Sequence, residues 1–212
     1  MFNYDAEQLL VLQPNATGGG LISFLLSLDS RCASVNFKKL SVEQKINDWN
    51  QWVTTRPSNA ELYGWANFGS VEFENNLQNA DSCDSYVWKC HFLELDHPEH
   101  PHPILQKFSQ PIRSVGIFVT DQCLEKLNTY RGKNHRVGAD YYEKWVYSNQ
   151  KMILKHWLNV ECVRAIRFLE MLDLDGFTEY MYWIYKDLDL TIDMKITRQA
   201  ISDWHNMLKG WQ

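Results

Sequence analysis

Three groups of residues in this chain have the types and spacing to do chemistry: Gly18-Gly19-Gly20, the histidines His97, His100 and His102, and the polar set Thr120, Asp121, Asn128 and Tyr130. The glycines follow the apolar run Leu9-Leu10-Val11-Leu12 and precede Leu21-Ile22-Ser23-Phe24-Leu25-Leu26. That order reads as a buried strand, a turn and an apolar helix. Glycine lets backbone approach an anion closely, and the helix behind it offers free N–H groups and its positive dipole end. The stretch is a candidate phosphate cradle, because three glycines exceed what a plain turn needs. Its bland alternative is a tight turn that binds nothing. Two nucleotide fingerprints are excluded. Leu21 and Ile22 stand where a Walker A loop needs Lys then Ser or Thr, and Ser23 stands where a dinucleotide fold needs its third Gly.

The histidines sit in Asp96-His97-Pro98-Glu99-His100-Pro101-His102-Pro103, an extended and stiff segment because of its prolines. Three readings stand open. The first is a metal site with Asp96 as a fourth ligand, although the prolines splay alternate side chains and no cysteine lies at zinc-finger spacing. The second is a single base, His97, whose ordinary pKa suits proton abstraction from a hydroxyl. The third is a solvated loop. Asn128 and Tyr130 have side chains able to hold a second anionic group, yet polar residues at such junctions are commonly caps. Arg131, Lys133 and Arg136 read as a solvated basic run.

Around these residues the chain alternates strand and helix signals. Ser41-Val42-Glu43-Gln44 is a capping box, and Val42, Ile46, Trp49 and Val53 follow at helical spacing. Residues 58 to 84 are poor in aliphatics and read as loops and a mobile segment. Tyr86 to Leu95 is rich in strand formers, and Ser114 to Val119 is an almost continuous apolar run. Helical character is expected over Asp121 to Tyr130 and over most of residues 139 to 172, with Tyr142, Trp145, Val146, Ile153, Trp157 and Leu158 in the core. Two more helices are expected from Thr178 to Leu208, broken near Asp189-Leu190-Thr191. Strands followed by helices predict an α/β fold with a mainly parallel sheet. Ligands of such sheets bind at the carboxyl ends of the strands, which would bring Gly18 to Gly20, His97 and Thr120-Asp121 to one edge.

At 212 residues the chain suits one domain, 1–212. Its 45% apolar content supports a sizeable core, and nine tryptophans and ten tyrosines suggest a cleft lined by large rings. A net charge of −5 argues against a nucleic-acid binder. Cys32, Cys83, Cys90, Cys123 and Cys162 form no Cys-x-x-Cys pair and read as reduced cytoplasmic thiols. No signal peptide or membrane-length apolar run is expected. Asn15-Ala16-Thr17 matches a glycosylation sequon, taken as accidental without a secretory signal.

The motifs together resemble the P-loop sulfotransferases. Pro14-Asn15-Ala16-Thr17-Gly18-Gly19-Gly20-Leu21 is similar to that family's phosphosulfate loop, Leu95-Asp96-His97-Pro98 to its catalytic His segment, and Phe118-Val119-Thr120-Asp121-Gln122 with Asn128 and Tyr130 to its 3′-phosphate motif. The tail around Tyr185 to Trp204 looks like its closing helices. The resemblance implies a nucleotide-kinase-like three-layer α/β sandwich with a helical C-terminal part. It implies 3′-phosphoadenosine 5′-phosphosulfate (PAPS) as sulfonate donor and a small-molecule or glycan hydroxyl as acceptor. It also implies His97 as base, with contacts to the donor from Asn15, Ala16, Thr17, Gly18, Gly19, Gly20, Leu21, Thr120, Asn128 and Tyr130. The chain departs from the pattern where Asn15 replaces the loop Lys, Leu95 the Lys before the His, Thr120 the Arg and Asn128 the Ser. Three cations are thereby absent, with Arg113, Lys126 and Arg131 as candidate replacements. Two rival expectations follow: a binding or scaffold protein that has lost its cofactor, and a phosphotransferase, which lacks a Mg²⁺-binding Ser or Thr after a loop Lys.

Overall fold

The computed structural model describes residues 2–13, 18–33, 37–55, 71–91, 107–118 and 160–209. Among the described residues four strands form one sheet: β1 (Glu7–Gln13), β2 (Ser85–His91), β3 (Ile112–Phe118) and β4 (Val160–Arg167). Their spatial order is β2-β1-β3-β4 and every pairing is parallel. β1 is buried nearly throughout, as a central parallel strand must be. The chain goes outward from β1 to β2 and then returns to β3 on the opposite side of β1. The strand order reverses there, and open α/β sheets bind ligands in the crevice at that point.

Alternation along the strands separates two cores. Leu9, Val11, Val87, Val115, Ile117 and Ile166 face a layer of helices: α1 (Gly19–Ser27), α2 (Val42–Thr55), α4 (Leu174–Asp187) and α5 (Met194–Lys209). Leu10, Leu12, Tyr86, Trp88 and Ile112 face the other side. There they meet Phe2, Phe37, Phe108 and Leu77 of α3 (Val71–Gln78). The result is the expected three-layer α/β sandwich with a helical C-terminal part.

α1 is buried almost all round, so Leu21 to Leu26 contact neighbours on every side. Phe24 stacks on Trp49 of α2, with ring centroids 4.5 Å apart and planes at 8°. The capping box is formed: the Gln44 N–H donates to Ser41 Oγ (3.2 Å) and the Ser41 N–H to Gln44 Oε1 (2.9 Å). α1 runs from the carboxyl edge of the sheet to its amino edge, where Cys32 bridges Ser85 at the start of β2. The Lys45 side chain holds that exit, donating from Nζ to the carbonyls of Ser27 (2.6 Å), Asp29 (3.2 Å) and Cys32 (2.8 Å).

Two expectations are corrected. Residues 160–172 are not helical but form β4 and a 3₁₀ turn, Glu170–Leu172. Within 58–84, read as loops, residues 71–78 form helix α3. The expected helices over 121–130 and 139–159 lie outside the described residues. No described helix is long and apolar enough to cross a membrane.

Candidate functional site

The carboxyl edge of the sheet is where β1 gives way to the glycine turn. Gly18 caps α1 in the left-handed region, at φ +87°, and its carbonyl accepts the Ile22 N–H at 3.2 Å. The first N–H groups of a helix have no acceptor within it. Here a glycine cap supplies no side-chain acceptor, and the first turn carries no acidic residue. The positive end of α1 therefore keeps its capacity for an anion.

Each glycine meets a different neighbour. A Cβ on Gly18 would lie 2.9 Å from both Met171 Cε and Trp204 Cζ2. One on Gly19 would lie 1.7 Å from Gln13 Oε1, and one on Gly20 would meet nothing among the described residues within 4 Å. The turn is thus walled by Met171 and Trp204, floored by the Gln13 amide and open at Gly20. His205 Nε2 lies 2.7 Å from the Met171 carbonyl. A carbonyl only accepts, so Nε2 is the donor in this contact. At the end of β4 on the same edge, Arg167 Nε donates to Glu170 Oε1 (2.9 Å) and its N–H to Oε2 (3.0 Å). Burial works to raise the Glu170 carboxyl, but these bonds outweigh it and leave the group below the usual carboxylate range.

Of the residues expected from sequence, Gly18, Gly19, Gly20 and Leu21 lie at this edge. Asn15, Ala16, Thr17, His97, His100, His102, Thr120, Asn128 and Tyr130 fall outside the described residues, as do Lys126 and Arg131. Arg113 is removed as a replacement cation. It lies at the amino edge, 2.9 Å from Glu7 Oε1, and donates to the Leu188 and Asp187 carbonyls at the end of α4. Cys32 is no nucleophile, because burial pushes its thiol up to about 12.

Gln13, Lys89 and His205 were not singled out in the sequence. Gln13 is 3% exposed and Lys89 9% exposed. Both stand where strand alternation calls for an apolar residue, and that mismatch is the signal a reader of the sequence can use. His205 gives no such signal, since it lies on a helix flank beside the buried Trp204.

No protein-family model matches this chain, and no curated protein matches it. Among solved structures, one similar chain is retinol dehydratase in complex with androsterone and the inactive cofactor PAP. The two share 13% identity with a TM-score of 0.39, over 92% of this chain and 63% of that one. This chain thus spans less than two thirds of that protein's length. A likeness at this level assigns no activity.

Proposed function

We propose that this chain is a divergent sulfotransferase-like enzyme, folded as one domain, that moves a sulfonate group from PAPS to a small-molecule or glycan hydroxyl. The observation carrying the reading is the left-handed turn at Gly18, which opens a buried helix at the carboxyl end of β1, where the strand order reverses. The residues present fit an anionic group: the first turn of α1 has no acidic side chain and is open at Gly20.

PAPS, when bound, supplies an activated sulfonate whose bond to phosphate breaks as the acceptor oxygen attacks sulfur. Backbone N–H groups of residues 17 to 21 hold the charge on the transferring group. His97 takes the proton of the acceptor hydroxyl. Asn128 and Tyr130 hold the 3′-phosphate. The departures at Asn15, Leu95 and Thr120 favour a second reading, a retained fold that binds without chemistry.

The test is sulfonate transfer from PAPS to a panel of phenols, alcohols and glycans. His97→Ala is expected to lower turnover roughly a hundredfold or more. Full activity in that variant contradicts the role of His97. Binding of adenosine 3′,5′-bisphosphate with no transfer to any acceptor favours the second reading.

A further inference from the structure

Among the described residues β4 is the outermost strand on its side of the sheet, with β3 as its neighbour. The outer side of such a strand presents backbone N–H and C=O groups on which another strand can pair. Residues two apart in a strand turn these groups to the same side. Ala165 and Arg167 are two apart, and both are engaged by side chains, which puts these groups on the side away from β3. The Tyr180 hydroxyl of α4 donates to the Ala165 carbonyl. The Arg167 N–H donates to Glu170 Oε2 at 3.0 Å. Both bonds are exposed, so water could serve these groups equally well. What the side chains add is occupancy of two successive pairing positions.

Three further features of β4 act in the same direction. The extra residue Val163, at the register shift between Ser114 and Val115, interrupts the regular ladder that an incoming strand would extend. Arg167, its side chain 67% exposed, sets a charge on the edge. Arg164 keeps α4 alongside the strand. Its guanidinium lies 5.9 Å from the Tyr180 ring centroid and 6.0 Å from that of Trp183, and it pairs with Asp187.

We infer that Tyr180 and Glu170 close the outer edge of β4 against strand pairing, and that the partner they exclude is a second copy of this chain. A second copy is present wherever the chain is made. Across a two-fold axis β4 would run antiparallel to its own copy, so pairing there closes on itself. Trp183, against Arg164, and its neighbour Tyr182 are 39% and 48% exposed and add apolar surface beside an opened edge.

The experiment is sedimentation velocity of the full chain from low to high micromolar concentration, with melting temperatures read alongside. It compares the wild type with Tyr180→Phe, which removes only the hydroxyl, with Glu170→Ala and with the double variant. The double variant should gain mass with concentration, toward a pair of wild-type particles. Adding Arg167→Pro should reverse that gain, because proline removes the N–H that a paired strand needs. Wild-type mass in the double variant at every concentration, with an unchanged melting temperature, overturns the inference. So does association that survives Arg167→Pro, which then runs through another surface. A wild type already paired, and separated by Arg167→Pro, overturns it too. If the double variant does not fold, amide exchange of the wild type decides. A protected Arg167 N–H supports closure, and one exchanging as freely as in an unfolded chain overturns it.

Discussion

Gly18 holds a backbone conformation that L side chains rarely adopt, and it does so between Met171 and Trp204. Gly18→Ala should therefore cost about 1–3 kcal/mol from the positive φ, before any displacement of the Trp204 ring. Urea denaturation measures it. Gly20 is helical and faces open space, so Gly20→Ala should gain about 0.5–1 kcal/mol by the same measurement. The contrast between neighbouring glycines separates a glycine needed for the fold from one left free for a ligand. Ser23 sits fully buried in α1 with no hydrogen-bond partner for its Oγ among the described residues. Ser23→Ala removes an unsatisfied hydroxyl and should raise stability by about 1 kcal/mol. In the sequence the three glycines were legible as a group. Their separate neighbours were not, because Met171 and Trp204 reach Gly18 from the far end of the chain.

At the scale of elements, the exit of α1 is fixed by two buried charges. Lys45 donates to three carbonyls, and Lys45→Met leaves those of Ser27 and Cys32 without that donor while the Asp29 carbonyl keeps the Cys32 N–H, so the change should cost on the order of 2–4 kcal/mol. Asp29 ties the same exit to the loop between α4 and α5. Its carboxylate accepts two bonds from the Arg31 guanidinium (both 3.0 Å), the Arg31 N–H (2.9 Å) and the Thr191 N–H (2.7 Å). Burial works to raise this carboxyl, but the hydrogen bonds win and hold it below its ordinary 3.8. A carboxyl lowered on folding adds stability above the unfolded value, and that stability disappears as pH falls through the folded value. The stability difference between wild type and Asp29→Asn should therefore shrink as pH drops below 3.8, as followed by urea titrations across acid pH. The capping box of α2 was legible because both of its partners lie within four residues. β4 was not, for a physical reason. Ser114 pairs with Cys162 but Val115 pairs with Arg164, so Val163 is an extra residue in the strand. That extra residue lets Val163 and Ile166, three apart in sequence, both reach the α1-side core, and such spacing imitates a helical repeat. α3 was missed because its asparagines and glutamates look like loop, whereas Leu77 and neighbouring Ala80 seat it on the outer core.

The described part of the molecule is a parallel sheet whose strand order reverses at β1, with α1, α2 and α3 on the connection from β1 to β2 and α4 and α5 following β4. The apolar runs of β1, β2 and β3 made that architecture legible, since strands covered on both faces lose the polar half of their alternation. Charge placement was not legible in the same way. Arg113 was a candidate for the carboxyl edge, but the parallel register puts it beside Glu7 at the amino edge. Lys89, unnoticed in the sequence, pairs with Val11 two positions before the end of β2. The central claim is that the first turn of α1 receives an anion. The most direct measurement is calorimetric titration with adenosine 3′,5′-bisphosphate of the wild-type chain and of Gly20→Met, which fills the open side of the turn without meeting a neighbouring wall. The account predicts binding by the wild type and its loss in Gly20→Met, with no fall in melting temperature. Equal binding by both would place the ligand elsewhere, and no binding by the wild type would contradict the anion cradle.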